Sequence, residues 1–540
     1  MTAAARWFDR VVFDLFRQWR WSYLPPLLIY FAYGLQGLTS VAGSFFVKEY
    51  LDLSAAFLAG LAFWVGLPWA LKMPLGHLAD LLWRWKALLL VLGAALMGGS
   101  YFILFALVAM PETMAVLMPA SAWYVTSALL APCGYVLQDV VADAMSVEAV
   151  PHLDDDGAEL PEEATRAMHT TMQTLGRIVL IAGFSAGAAL NVALFEGAGA
   201  LPQAEKGAVY ARIFALALLI PVISLTGVVL AQFLRGWRTR RLHAQGLSPD
   251  AIARRIDMPR DPVEVNWLYF IGGAGFVALS LATGLGNVPY AQEIVFAGSM
   301  AIVLFLMRQL LATLTPQQAR TLIGTAIIIF VYRATPLRGA GATWFEIDVL
   351  GFDQQFLSVL SLITSLLTLA GMLIFRPMMA TRSIAYIVTF LAIAEAVLSL
   401  PNIALYYGVH EWTAEMTNGV VDARFIALVD TAVESPLGQV SMIPMLAWIA
   451  RNAPSNLKAT FFAVMAAFTN LALSASSLGT KYLNQIFVVT REVTDEAGVV
   501  TNPADYSQLG ALLISVAVLL LAAPLITIFA VQHSRFRTED

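Results

Sequence analysis

The sequence predicts an all-α polytopic membrane protein: two six-helix bundles plus an inserted two-helix hairpin, about 14 transmembrane helices in all. Three observations predict it. Hydrophobic residues make up 59% of the 540-residue chain and charged residues 13%, where a soluble protein carries roughly 25% charged residues. Apolar windows of membrane-spanning length recur along the chain. The longest polar break, 235–266, follows the sixth window, where a protein of two six-helix bundles divides. A single soluble core cannot absorb this much apolar surface, so a soluble enzyme, a nucleic-acid binder and a disordered scaffold are excluded.

Segment 1–22 places apolar residues at 8, 11, 12, 15, 16 and 19, with Arg6, Arg10, Arg17 and Arg20 elsewhere. It reads as an amphipathic helix on the cytoplasmic membrane surface, not a secretory signal, since no uninterrupted apolar stretch or cleavage site follows. Spans of the N-terminal bundle, 23–234, are expected near 24–47, 57–76, 87–109, 118–146, 170–195 and 209–234. In the linker 235–266, Ser248-Pro249-Asp250 is a helix-start signature that predicts a short helix to about Ile256. Windows 267–285 and 290–312 form the hairpin, with Arg308 placed to snorkel, and are expected to be scaffold rather than transport path. The C-terminal bundle, 313–531, has spans near 320–337, 356–376, 383–401, 425–450, 459–484 and 508–531, followed by the tail 532–540.

Basic residues fix the orientation. Alternate loops hold 21 lysines and arginines on one side and 6 on the other, which puts the first set, and both termini, in the cytoplasm of a cell whose inner membrane the chain crosses. Cys133, the only cysteine, lies in an apolar run, so neither a disulfide framework nor a cysteine metal site is expected. The six histidines show no ligand spacing and no phosphate-binding loop occurs, so no cofactor or metal is expected and transport would be secondary.

An unpaired charge at the centre of a span costs roughly 2.5–3.5 kcal/mol or more, so intramembrane ionisable residues are functional candidates. Asp139 and Asp143, four apart, share a face of span four, with Gln138 beside them and Glu148 at the end. Arg177 in span five is near enough in sequence to be their counter-ion. The second half echoes this with Arg333, Glu395, and Asp430 and Glu434, again four apart. Such carboxylates can carry protons, hydrogen-bond substrate, or hold helices in register through salt bridges. Gly183 and Gly187 form a small-residue face that speaks for packing. The acidic loop 154–163 reads as solvated.

LPWALKMPLGHLAD, 67–80, ends span two with Gly76 and Asp80 spaced G-x-x-x-D, before Arg84 and Lys86. This resembles the cytoplasmic loop motif of the major facilitator superfamily, and implies that Gly76, Asp80 and Arg84 gate the inner face. Four segments narrow the resemblance: Pro68-Trp69 through Asp80; LQDVVADAMSVE, 137–148; Arg333-Ala334-Thr335-Pro336 through Phe352; and 438–471. Together they resemble the folate–biopterin transporter family, with Lys458 standing where that family has an acidic residue. The resemblance implies proton-coupled transport of a folate- or pterin-like organic anion by alternating access. Its partners would be that small molecule, protons and the lipid bilayer, with no nucleic acid. Asp139 or Asp143 would bind the pterin ring and Arg177 or Arg333 the anionic end, while Pro336 could break span nine and expose backbone there. A muropeptide permease is the alternative reading. A membrane-embedded lipid transferase would need two Asp-rich metal motifs, and a non-transporting sensor would tolerate loss of Asp139 and Arg333.

Overall fold

Prolines and small polar caps decide where this apolar chain turns. The computed structural model describes residues 19–538 apart from 52, 83–84, 152, 154–157, 257–264, 266, 287, 313, 376–381, 438–457 and 495–499. The amphipathic segment before residue 19, Arg84 and the side chain of Asp80 therefore lie outside the described residues.

The first span is built in two pieces, α1 (Leu24–Gly34) and α2 (Leu38–Tyr50), joined by a 3-10 turn. The second is likewise divided. Ser54 caps α3 (Ala55–Gly66) by accepting from the Phe57 N–H, and a turn at Leu67–Leu71 that carries Pro68 leads into α4 (Lys72–Leu81). Longer helices follow: α5 (Lys86–Ala109), α6 (Ala120–Glu148), α7 (Glu162–Leu194), α8 (Gln203–Ala217) and α9 (Leu219–Ala244). Ser248 caps α10 (Pro249–Ile256), the short helix read from its start signature. The hairpin is α11 (Trp267–Leu285) and α12 (Ala291–Leu311). A capping box formed by Thr315 and Gln318 starts α13 (Pro316–Arg333), and after a break at 334–339 the chain resumes as α14 (Ala340–Asp348). Then come α15 (Gln354–Ile374), α16 (Ile384–Leu398), α17 (Leu400–Tyr406), α18 (Ala423–Glu434), α19 (Lys458–Ile486) and α20 (Leu509–Gln532). A two-stranded ribbon, Val493–Thr494 with Val500–Asn502, departs from an all-helical chain.

Among the described residues, seven helical stretches are long and apolar enough to cross a membrane by length and composition. Two of them, Glu205–Ala244 and Ile384–Tyr406, join two helices end to end. Large apolar side chains such as Leu88, Phe102, Val229, Phe233, Ile526 and Phe529 are exposed around the outside. In water that surface would promote aggregation; in hydrocarbon it is the solvated face.

In the first half α5 packs along α6, and α7 and α9 pack on α1. Gly34 and Gly183 permit the α1–α7 crossing, since a Cβ on Gly34 would lie 2.0 Å from the Leu180 carbonyl oxygen. In the second half α20 packs on α13 and α16, and α19 on α13. The halves meet where α3 lies on α19 and α7 on α15. The hairpin straddles the first seam. Phe276 and Val295 pack with Phe63, Leu67 and Leu478, and Gln292 donates to the Gly60 carbonyl at 2.9 Å while accepting from Lys481 at 2.8 Å.

Candidate functional site

The turn at Leu67–Leu71 swings Lys72 toward α6, and this one side chain organises the first-half cluster. Its ammonium lies 2.5 Å from Asp139 Oδ2 and 2.9 Å from Asp143 Oδ2. Tyr30 of α1 donates to Asp143 Oδ1 at 2.7 Å. The four-residue spacing of the acids puts both on the face that meets α4 and α1. Arg177 of α7 is exposed, lies within electrostatic reach of both carboxylates, and contacts neither directly. The counter-ion expected to be Arg177 is therefore Lys72. Helix α7 follows α6 in sequence but turns its contacting face to α1, whereas α4 packs on α6. Two carboxylates facing one ammonium leave a single negative charge that Arg177 balances at longer range. The cluster is not sealed: the side chains of Lys72 and Asp143 are 35% and 42% exposed, and that of Asp139 is 13% exposed. Lys86 and Glu148 pair at the end of α6. Gly76 lies on α4 next to open space, a Cβ there meeting nothing within 4 Å.

The second-half residues form a different kind of group. Tyr332 donates to Glu395 at 2.5 Å, and Arg333 follows it, partly buried, at the end of α13. Asn402 donates to Asp430 Oδ2 at 2.8 Å and accepts from Arg338 at 2.7 Å; Arg338 lies 3.6 Å from Glu346. Glu434 is within electrostatic reach of both Asp430 and Glu395. No ion pair to Glu395, Asp430 or Glu434 occurs among the described residues. The two acid pairs, alike in spacing, thus differ in company.

Pro336 does break its span, but the backbone it frees is not left open. Ser476 donates to the Thr335 carbonyl at 2.7 Å, and the Leu337 N–H donates to Thr480 Oγ1 at 2.8 Å. Ser476, Thr480 and Asn484 recur every four residues, so one stripe of α19 covers the break.

Tyr30 lies in the first half of the first span and Lys48 near its far end, roughly 27 Å apart along a helix of this rise. At the Lys48 end the halves are stitched together. Lys48 pairs with Asp348, which also accepts from Tyr506 at 2.5 Å. Burial and that carboxylate push the Tyr506 phenol above its ordinary value. Arg491 reaches across to the carbonyls of Lys48 and Leu51 at the end of α2. Tyr210 donates to Glu49 and accepts from Gln354, each at 2.9 Å, and Ser185 donates to Ser365 at 3.0 Å. None of these seam residues was singled out from sequence, because their partners lie more than a hundred residues away. Lys72 had a signal: a lysine inside an apolar window needs an acid. Among the described residues, no cluster of three or more His, Cys, Asp or Glu side chains could hold a metal ion.

The sequence profile of the BT1 family matches residues 185–538 of this chain. The chain belongs to the BT1 family. It is 24% identical over 456 residues, 84% of this chain and 72% of the other, to a protein of Synechocystis sp. (strain ATCC 27184 / PCC 6803 / Kazusa) named "Folate-biopterin transporter". This BT1-family chain is thus a multi-pass membrane transporter and not an enzyme. Its fold is of the major facilitator type. A POT family transporter in complex with 5-aminolevulinic acid superposes with a TM-score of 0.60 at 13% identity, covering 95% of each chain. The nucleoside transporter NupG superposes with a TM-score of 0.55 at 10% identity, covering 94% of this chain and 99% of that one.

Proposed function

We propose that this protein is a proton-coupled secondary transporter that moves a folate- or pterin-like organic anion across the inner (plasma) membrane by alternating access. The observation that carries the reading is the Lys72–Asp139–Asp143 group, partly open, with the Arg177 guanidinium close by and uncommitted to either acid. A pterin presents an amino-pyrimidine edge that one carboxylate binds through two hydrogen bonds. Asp139 or Asp143 takes that edge when Lys72 shifts its weight to the other acid, so substrate replaces one ion-pair contact instead of facing a bare charge. The carboxylates of a folate tail then meet Arg177, whose planar fork suits them.

The 21-to-6 distribution of basic residues assigns the Lys72 end, and both termini, to the cytoplasm. The Lys48–Asp348 pair and the Arg491 contacts then close the outer face, and the chain stands in an inward-facing state. Transport requires those seam contacts to break as the cytoplasmic ends approach. Gly76, Asp80 and Arg84 belong to the inner gate in this reading, and Arg333, Glu395, Asp430 and Glu434 to the second half's share of the path.

The test is uptake into proteoliposomes of radiolabelled folic acid, biopterin and a muropeptide, with and without a protonophore. Folate or pterin accumulation that collapses with the proton gradient is expected. Muropeptide uptake alone assigns the other substrate class, and accumulation indifferent to the protonophore removes the coupling.

A further inference from the structure

Three carboxylates of the second half, Glu395, Asp430 and Glu434, lie in a row without an ion-pair partner among the described residues, whereas both first-half aspartates share Lys72. A bare carboxylate inside a membrane protein is neutralised by a cation or by a proton, and here the surrounding groups narrow the choice. Around Asp430 stand Asn402 from α17, Arg338 from the break, Glu346 from α14 and Glu434 from its own helix. Around Glu395 stand Tyr332, Arg333 beside it, and Glu434. Helices α15 and α20 also pack against this group, through α18, α16 and α17, and carry no charged residue along 354–374 or 509–532, whereas the short helix Val409–Met416, packed on α17 and α18, brings His410, Glu411 and Glu415.

Glu434 is exposed, and buried Asp430 lies behind a second opening. A small surface cleft, with room for about one water molecule, is lined by Arg338, Phe345, Glu346, Leu350 and Asn402. It lies in α14 and the break, next to Asp348, and therefore on the stitched face. The Asn402 amide spans the boundary, accepting from Arg338 in the cleft and donating to Asp430 Oδ2 behind it. Asp430 Oδ1 is buried and has no hydrogen-bond partner among the described residues, so it is the atom left to bind a proton.

We propose that protons enter the second half from the outer cleft, pass Asn402 to Asp430, and continue to Glu434 and Glu395, while substrate uses the first-half group around Lys72. The two cargoes have separate doors, and the outer seam can stay shut to substrate while protons load. This rests on the coupling assigned under the proposed function. Each hop moves one proton from a carboxylic acid to a neighbouring carboxylate: an O–H bond breaks on the donor, one forms on the acceptor, and no redox partner is needed. Asn402 is a positioning residue that holds Oδ2 and leaves Oδ1 free. Tyr332 holds Glu395 in the same way.

The test uses the full-length protein in proteoliposomes. Dicyclohexylcarbodiimide, which modifies protonated carboxyl groups held away from water, needs no substrate. Mass spectrometry is expected to find it on Asp430 or Glu395, which are buried and partly buried, increasingly as the outside pH falls, with Asp139 and Asp143 spared. Asn402→Leu is expected to remove the outside-pH dependence and Asn402→Asp to keep it. In folic acid uptake, Asp430→Asn and the near-isosteric Glu434→Gln lose gradient-driven accumulation far more than folate exchange, while Arg177→Ala loses exchange. Modification of Asp139 or Asp143 with the second-half acids spared overturns the assignment. So does gradient-driven accumulation that survives in both acid variants while the protonophore abolishes it in wild type; the coupling then stands and only this route falls. Wild-type accumulation that ignores the protonophore removes the coupling reading itself.

Discussion

Replacing Lys72 by methionine keeps the length of the side chain and removes the charge that two aspartates share. Removing one partner from a fully buried pair costs about 3–5 kcal/mol, because the other charge is left behind. An exposed pair is worth about 0–1 kcal/mol. With Asp139 13% exposed and Lys72 and Asp143 at 35% and 42%, the cluster falls between those limits, and a loss of about 2 kcal/mol is expected. Thermal unfolding in detergent measures it as a lowered Tm. Neutralising one acid, in Lys72→Met/Asp139→Asn, removes the excess negative charge and should return about half of the loss, a coupling energy of about 1 kcal/mol in a double-mutant cycle. Arg177→Ala, which breaks no direct contact, should leave Tm nearly unchanged while weakening folic acid binding. A Lys72→Met protein as stable as wild type, or a double variant no more stable than the single, refutes the account of this cluster.

The remaining predictions concern packing and the seam. Gly34→Ala puts a Cβ 2.0 Å from the Leu180 carbonyl oxygen and should cost at least about 1–3 kcal/mol, seen as a lower Tm, whereas Gly76→Ala has free space and should be neutral or stabilising by up to about 1 kcal/mol. Arg491→Ala leaves the last carbonyls of α2 without their guanidinium; in a Cys133→Ser background, Ser365→Cys should then react several-fold faster with a membrane-impermeant maleimide added outside. Ser476→Ala with Thr480→Ala uncovers Thr335 and Leu337 at the break and should cost about 2 kcal/mol by thermal unfolding, since each hydrogen bond contributes about 1 kcal/mol.

Much of the fold could be read from hydropathy because the bilayer sets the length of a span. The window 87–109 became Lys86–Ala109, and 508–531 became Leu509–Gln532. Hydropathy failed where helix and hydrocarbon do not end together. Helix α7 starts at Glu162, eight residues before its apolar window, and α9 runs on through Arg235–Ala244, because a polar helix turn outside the membrane satisfies its backbone as well as an apolar one inside. The break at 334–339 was signalled by Pro336, but its sealing by Ser476 and Thr480 was invisible, since those groups lie about 140 residues downstream.

The same limit governs the site. Spacing four apart on a helix says that two acids share a face, and both Asp139 with Asp143 and Asp430 with Glu434 obey it. It does not say what that face meets. In the first half a lysine 67 residues earlier in the chain meets it, and in the second an asparagine 28 residues earlier. An ammonium between two carboxylates can trade one of them for a substrate that offers its own hydrogen-bond donors. An amide can only orient a carboxyl group, and leaves its charge to be neutralised by something that arrives and departs. Under the coupling proposed above, the first group serves the substrate and the second the proton. The pattern read as a repeated motif is therefore better understood as one spacing put to two uses, with the distinction carried by the partner residue.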